Sequence, residues 1–493
     1  MRILERLEKN RSFWFLLIIS VFFFFLRFPS LFEPYWYGDE GIYQTLGLGI
    51  DNGRLLYRDI FDNKPPFLYT LYAILGSDQF LLRLASLIFG LFSLGLFYKL
   101  SQKLLEKNIP SYIATFAFAT LFGLPLIEGN IANAENFMLL FNIAAGFLIF
   151  KSLELNVNKR LTILFSAGFI LGVSFLFKIV GLFDFAAFLT FLLFVNFSKN
   201  FKDFLKPKNI LVELKNLTPF IVGFIVPVLL VFIYFLFSGG FEYFIKATFA
   251  NNVGYVGYGN KLIIPQGLLI LKLGILVILL SFIFLKRNIL THQAVFIYIW
   301  VLFSLFNAFF SQRPYTHYVL VAIPALCLLL GLIFIRNKTF IFNLIFLSIT
   351  IILLYLNFGF YKKTIFYYQN FVSFIIGQKT ASQYQRFFDG NTPNDYELAS
   401  YINRVANKND NIFIWGNNAQ VYKLTNKLPP GRYTVAYHIT GYQDGIINTQ
   451  QGLDKHKPKF IIIMGNVSQY PFSLLEYNQR MNINGINIYE KIL

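Results

Sequence analysis

The amino-acid sequence predicts a polytopic α-helical membrane protein with a small α/β domain at its C-terminal end, and three observations predict it. Of 493 residues, 56% are hydrophobic and 14% charged, more apolar surface than a soluble chain of this size can keep covered. The apolar residues come in blocks, such as FWFLLIISVFFFFL at 13–26 and LGILVILLSFIFL at 273–285. With their weakly polar flanks these blocks approach the roughly 20 residues that a helix needs to cross a bilayer. Lysine and arginine gather between the blocks, mainly in every second connection.

In chain order about eleven spans are expected, near 12–30, 80–98, 110–127, 137–150, 161–177, 179–197, 218–237, 267–285, 293–310, 318–335 and 339–357. One set of connections holds Arg2, Arg6, Lys9 and Arg11; Lys99, Lys103 and Lys107; Lys151, Lys159 and Arg160; Lys199, Lys202, Lys206, Lys208 and Lys215; Lys286 and Arg287; and Arg336 and Lys338. The alternate set holds only Arg54, Arg58, Lys64, Lys246, Lys261 and Arg313. Basic residues concentrate on the cytoplasmic side of membrane proteins. The first set and the N-terminus are therefore expected inside the cell, and with an odd number of spans the tail beyond about residue 358 lies outside. The opening MRILERLEKNR and its apolar run have the look of a signal peptide. That run is long, lacks a small-x-small cleavage site and leads into the bulky FPSLFEPYWY, so an uncleaved first span is expected.

The tail changes character. Turn-like NTPND, GNN, LPPG and KHKPK separate strand candidates NIFIW (411–415), KFIIIM (459–464) and INIYEKI (486–492), and 394–407 reads as a helix with Asn394 or Asp395 as N-cap. Helix, strand, helix and strand in succession predict a small α/β domain over 359–493, beside a transmembrane domain over 1–358. The net charge of +18 would suggest nucleic acid on a soluble protein. Here the basic residues lie in the connections, and no nucleic-acid partner is expected. A single cysteine, Cys327, excludes an intrachain disulfide, and His292, His317, His438 and His456 lack metal-ligand spacing. An abundance of Phe, Ile, Lys and Asn points to an AT-rich, microbial genome.

The chemistry concentrates in the outside connection at 31–79, too long to be a simple connector. Asp39 and Glu40 stand side by side at its start. Asp51, Asp59 and Asp62 follow with Arg54, Arg58 and Lys64 among them, and Pro65-Pro66 ends one segment and sets up the next. A carboxylate at a membrane boundary can accept a proton from a hydroxyl, and a nearby lysine or arginine can hold a phosphate. The same charges would equally serve to solvate a loop.

The stretch YGDEGIYQTLGLGIDNGRLLYRDIFDNKPPFLY resembles the first external loop of membrane glycosyltransferases of the GT-C fold, in particular the protein O-mannosyltransferase and aminoarabinose-transferase branch. The resemblance rests on Asp39-Glu40, Tyr43, Gly53 and Lys64-Pro65-Pro66 in that order, and is sharp over 37–69. EGNIANAENFMLLF resembles the family's short acidic loop, with Glu128 and Glu135 as candidates; SQRPYTHYVLVAIPAL resembles a segment near its donor site; and IFIWGNNAQVYKLTNKLPPGRY is similar to a pattern in bacterial soluble domains. The Asp62-Asn63-Lys64 context departs from the Glu-Lys-Pro of some relatives, which bears on the substrate branch.

The resemblance implies a GT-C architecture and transfer of one sugar, with inversion, from a polyprenyl-phosphate carrier to an acceptor hydroxyl outside a bacterial or archaeal cell membrane. Carried over, Asp39 is the catalytic base, Glu40 shapes the site, and Lys64 and Arg313 bind the lipid phosphate. Tyr43, Arg58, Asp62, Glu128, Glu135, His317 and Tyr318 are substrate-binding candidates. The implied partners are the lipid-linked donor, membrane lipids and a lipid, protein or cell-wall glycan acceptor. No cofactor is required and no metal ligands are assigned, with a divalent ion left open. Arg83, Lys178, Asp184 and Lys272 lie in or near spans, where charge points to function or to snorkelling at helix ends. The segment 250–260 reads as a mobile loop over the site or an ordinary turn-rich one. Three other classes compete: a lipid-linked sugar transporter or flippase, which would favour paired midplane charges and a repeat; a polysaccharide polymerase or ligase, which would share the topology; and a non-catalytic scaffold.

Overall fold

The computed structural model describes residues 11–196, 207–253, 268–311, 313, 315–335 and 339–492, the side chains of 207–210 and 212–214 aside. Most of the segment expected as a loop at 250–260 lies outside these residues, as do Arg2, Arg6, Lys9, Lys199, Lys202, Lys206, Lys261, Arg336 and Lys338. Among the described residues eight helices are long and apolar enough to cross a membrane: Arg11–Phe32, Gln79–Leu105, Ala134–Ser152, Val157–Phe177, Lys215–Phe237, Leu269–Lys286, Thr316–Ile333 and Phe340–Asn357. The other three expected spans fall on helices Asn108–Gly123, Gly181–Asn196 and His292–Ala308, of 16, 16 and 17 residues. At 1.5 Å per residue Asn108–Gly123 and His292–Ala308 reach about 24–26 Å, short of the ~30 Å hydrocarbon core, while Gly181–Asn196 ends where the described residues end. Length and composition thus carry eight of the eleven expected crossings.

The sequence pattern of a spanning helix shows in which residues it buries. In Phe340–Asn357 the buried positions are Asn343, Leu347, Thr350 and Leu354, one stripe at helical spacing. Ile341, Ile345, Ile349, Ile352 and Leu356 on the rest of its surface are exposed, as suits a face turned to lipid. Lipid tails are as apolar as leucine, so helices associate through close packing rather than through apolar burial. Val157–Phe177 and Pro207–Phe237 do so at a pair of glycines: a Cβ at Gly168 would meet the Phe220 carbonyl oxygen at 2.0 Å, and one at Gly223 the Phe165 carbonyl oxygen at 2.1 Å.

Contacts group the chain into two compact units. The first is Met1–Ser30, Ala85–Ile233 and Asn252–Thr364; the second is Leu31–Leu84, Tyr234–Asn251 and Ile365–Leu493. The second unit contains a four-stranded sheet, β1 (Ile412–Trp415), β2 (Phe460–Met464), β3 (Tyr477–Ile483) and β4 (Ile486–Lys491), in the order β1-β2-β4-β3. β1 and β2 are parallel, with Ile412 opposite Phe460, and the other pairs are antiparallel. The parallel pair needs a crossover, supplied by helices Gln420–Thr425, Ala436–Gly441 and Gly445–His456. Ile412, Ile414, Phe460, Ile462 and Ile488 bury one face of the sheet against Leu398, Ile402, Val421 and Tyr422.

The helix expected at 394–407 runs Thr392–Val405 and starts after Asn391, not after Asn394 or Asp395, because Pro393 suits the first helical turn, where its missing N–H is no loss. β3 was not expected. Its sequence YNQRMNI is polar and Asn478, Gln479 and Arg480 are exposed, so no apolar alternation marks it.

Candidate active site

Helix Gly38–Asp51 places Asp39 and Glu40 in its first turn, where the backbone N–H dipoles favour negative charge. Adjacent helical residues do not share a face, and these two acids have different fates. Glu40 is buried and accepts a 2.6 Å hydrogen bond from Arg83 Nη2. The other guanidinium nitrogen of Arg83 lies 3.2 Å from Glu33. Glu33 in turn accepts from Trp36 Nε1 at 2.9 Å and from the Tyr367 hydroxyl at 2.7 Å. In this buried group one guanidinium is shared by two carboxylates, and the Trp36 and Tyr367 donors supply the remaining partners of Glu33.

Asp39 keeps 37% of its side chain exposed. Its Oδ2 accepts from the Tyr43 hydroxyl at 3.0 Å and stands 3.9 Å from Lys64 Nζ. Lys64 is shared: it lies 3.6 Å from Asp62 and 4.7 Å from the centre of the Tyr43 ring. Asp62 is buried and accepts from the Tyr69 hydroxyl at 2.7 Å, with His438 Nε2 3.8 Å from its other oxygen. Three tyrosines fix this arrangement. Tyr57 is buried at φ 69°, a left-handed conformation that a bulky residue adopts only where its surroundings hold it. It packs on Phe235 and Phe244 and donates to the Lys64 carbonyl at 2.7 Å. Tyr69 accepts from the Lys64 N–H at 3.1 Å. Pro65 then caps helix Pro66–Ile74, as the Pro-Pro pair predicts.

Burial pushes the Asp62 carboxyl up, but the Lys64 ammonium first, then His438, the Tyr69 hydroxyl and the Asn63 N–H together outweigh it and hold the group below the usual carboxylate range. Burial pushes His438 down to about 4 against the attraction of Asp62. At neutral pH His438 is therefore uncharged, and Lys64 is the cation beside Asp62. Burial, with Asp39 and Asp62 nearby, raises Tyr43 well above the ordinary phenol value, so it stays a neutral donor to Asp39.

The other candidates divide. Arg58 is largely exposed and pairs with its neighbour Asp59 at 2.7 Å, outside the Asp39–Lys64 group. In the first unit Glu128 sits at φ 61° after a short 3-10 turn, and its Oε2 is 2.9 Å from His317 Nδ1. His317 Nε2 is 3.8 Å from Glu135, and Glu135 pairs directly with Lys178, whose ammonium lies 4.4 Å from the Tyr318 ring centre. Arg313 is partly exposed and donates to the Tyr315 hydroxyl at 3.5 Å, and the Tyr315 ring stacks on His317. Lys178 is thus tied to a carboxylate. Asp184 accepts from Asn142 and Trp300, and Lys272 donates to the Phe309 carbonyl at 2.6 Å. Among the described residues no group of three or more His, Cys, Asp or Glu is placed to hold a metal ion.

Sequence reasoning did not single out Glu33, Tyr57, Tyr69 or His438 as site residues. His438 comes from the tail, just after the LPPGRY motif, and the tail grips the first loop at several points. Phe61 N–H donates to the Arg432 carbonyl at 2.9 Å, and Arg54 donates to the carbonyls of Pro429 and Gly431. Helix Gly38–Asp51 approaches Gln420 so closely that a Cβ at Gly41 would lie 2.7 Å from its backbone nitrogen. What the Asp39 group offers chemically is an open carboxylate able to take a proton, beside a cation shared between two acids and so able to meet an incoming anion.

Residues 65–222 match the family described as dolichyl-phosphate-mannose-protein mannosyltransferase. No curated protein matches the chain by sequence. Among solved structures, ArnT from Cupriavidus metallidurans bound to undecaprenyl phosphate is similar with a TM-score of 0.54 and 13% identity, over 97% of this chain and 98% of that one. Its apo form gives a TM-score of 0.55 at 14% identity, over 96% and 97%. At this identity the likeness is one of fold, and it extends over nearly the whole of both chains. The GT-C resemblance read from 37–69 is thereby borne out: this integral membrane protein has the fold of ArnT, and its sequence is similar to the mannosyltransferase family over 65–222.

Proposed function

We propose that the chain is an inverting membrane glycosyltransferase that moves a single sugar from a polyprenyl-phosphate-sugar donor to an acceptor hydroxyl on the extracytoplasmic face. The observation that carries this reading is the Asp39–Lys64 pair, 3.9 Å apart, with Asp39 half-open and Lys64 divided between two carboxylates. The mannosyltransferase match over 65–222 supports it, and so does the fold shared with ArnT, a protein whose structure holds undecaprenyl phosphate.

In this mechanism the acceptor hydroxyl attacks the anomeric carbon while Asp39 takes its proton. The bond from the anomeric carbon to the phosphate oxygen breaks, and its electron pair leaves with the lipid phosphate. Lys64 turns from Asp39 and Asp62 to that phosphate and stabilises its charge, without calling for a divalent ion. Glu40, bound to Arg83, fixes the helix turn that presents Asp39. Tyr43, Asp62 and the exposed Arg58 are the substrate-contact candidates of this unit, while Arg313 as a phosphate contact and Glu128, Glu135, His317 and Tyr318 as substrate contacts rest on the resemblance of their segments to the family. The distribution of basic residues supports a cytoplasmic N-terminus and an outward first loop, and the hydrogen bonds of Arg54 and Phe61 to 429–432 support a tail on that same side, which would help to choose among lipid, protein and glycan acceptors.

The test is to incubate membranes carrying the full chain with a panel of radiolabelled polyprenyl-phosphate sugars. Transfer of label to an acceptor is the expected result, and the labelled product identifies the acceptor class. A panel in which no donor is consumed would contradict the reading and turn attention to transport.

A further inference from the structure

His438 stands in a niche built of rings. Phe61 lies 5.6 Å away, Tyr433 6.5 Å, Tyr437 4.5 Å and Tyr442 5.6 Å, centre to centre. The residue is only 4% exposed, and its Nδ1 is buried without a hydrogen-bond partner. Phenylalanine would fill such a niche without leaving a buried ring nitrogen unpaired, a cost that buried polar groups seldom bear without a reason. The niche is also held in place. Helix Ala436–Gly441 is pinned by the Ala436 N–H on the Gly416 carbonyl at 2.8 Å, and the preceding Arg432 carbonyl receives the Phe61 N–H. The imidazole therefore presents Nε2 to Asp62 at 3.8 Å as a consequence of two anchored segments.

We infer that His438 is a positioning residue for donor binding, which takes over the Asp62 carboxylate when Lys64 turns to the phosphate. The inference rests on the function proposed above. Lys64 cannot face an incoming phosphate and keep its full attraction for Asp62. A buried carboxylate that loses its cation is strongly disfavoured, and that penalty would fall on donor binding. The Tyr69 hydroxyl already occupies one Asp62 oxygen. The other faces His438 Nε2, which needs to close by about 1 Å to make a hydrogen bond of ordinary length. No other cation pairs with Asp62 among the described residues. Arg432 lies beyond the Phe61 ring and pairs with Asp444 at 3.2 Å. The tail thus contributes a side chain to the first loop's phosphate site, and makes it ready to release its lysine.

The probe is undecaprenyl phosphate, and the measurement is its affinity for the purified full chain, read from the ligand-induced rise in unfolding temperature. His438→Phe keeps the ring packing and removes the donor, and is expected to weaken binding about tenfold, as loss of a hydrogen bond to a charged group does. His438→Gln, whose amide nitrogen reaches the position of Nε2, should restore most of it. In an Asp62→Asn background the carboxylate is gone, and His438→Phe should then change binding by less than about twofold. Wild-type affinity in His438→Phe, equal loss in Phe and Gln variants, or an undiminished tenfold loss on top of Asp62→Asn would each overturn the inference. Lys64→Ala separates this from failure of the function itself. If Lys64→Ala binds undecaprenyl phosphate as the wild type does, the proposed function falls and the inference with it. If Lys64→Ala loses binding while His438→Phe does not, only the inference falls.

Discussion

Two lysines of this protein face acids in its two compact units, and they are held differently. Lys64 stands 3.6 Å from Asp62 and 3.9 Å from Asp39, in full contact with neither. Lys178 pairs directly with the single carboxylate of Glu135, whose side chain is 2% exposed, and caps a helix C-terminus where positive charge is favoured. A cation divided loosely between two acids can be recruited by a third anion, provided that another donor meets the buried one, Asp62. A cation committed to one buried acid cannot leave without stranding it. Charge near the membrane boundary is therefore not by itself a sign of catalysis; what sets Lys64 apart is that two acids share it and that one of them, Asp39, is 37% exposed.

The largest expected effects break the committed pair. Lys178→Met leaves Glu135 buried with only His317 Nε2, 3.8 Å away, beside it and should cost about 3–5 kcal/mol of stability, visible as a lowered unfolding temperature in detergent. Lys64→Ala should lower the transfer rate about 10²–10³-fold, the range seen when one donor to a developing anion is removed. Its stability loss should be smaller than that of Lys178→Met, since the Tyr69 hydroxyl and the Asn63 N–H still donate to Asp62. The opposite ranking in unfolding temperature would break the comparison.

A pH series sharpens it further. His438 is held at about 4 against an ordinary value of 6.5, so the unfolded chain binds more protons between those values. Stability from this group is fully present above pH 6.5 and is lost as pH falls towards 4, by up to about 3 kcal/mol. Asp395, raised by burial to about 6 from 3.8, acts in the other direction across its own window. Comparison of wild type with His438→Gln isolates the histidine: the variant should lose less stability on acidification. The smallest expected effect is that of metal removal. If Lys64 supplies the charge for the leaving phosphate, transfer should persist within about twofold in excess chelator. Abolition by chelator and rescue by a divalent ion would show that lysine is not sufficient.

Much of the fold was legible because the bilayer simplifies the code. Apolar blocks of spanning length needed no partner to be recognised, and helices lie where each of the eleven was expected. The short ones, such as Asn108–Gly123, gave the same apolar signal, which does not report whether a helix completes a crossing. In the site, Asp39, Tyr43 and Lys64 were legible because they lie close together in one loop. Glu33 and Tyr367 escaped notice because they meet Arg83 and each other only through folding, 334 positions apart in the case of their own hydrogen bond. His438 escaped for the same reason. It is a single histidine with no repeat or spacing around it, and the tight packing of LPPGRY against the first loop, which gives it meaning, is a property of the folded chain.

Asp39 as the base is tested by the rate of sugar transfer by Asp39→Asn at saturating donor and acceptor, with expression matched to wild type. Asparagine keeps the shape and can still meet the Tyr43 hydroxyl, but it cannot accept the acceptor's proton. A fall of about 10²–10⁴-fold in kcat, with undecaprenyl phosphate affinity changed by less than about threefold, is the expected result. Transfer at the wild-type rate would contradict it and place the base elsewhere.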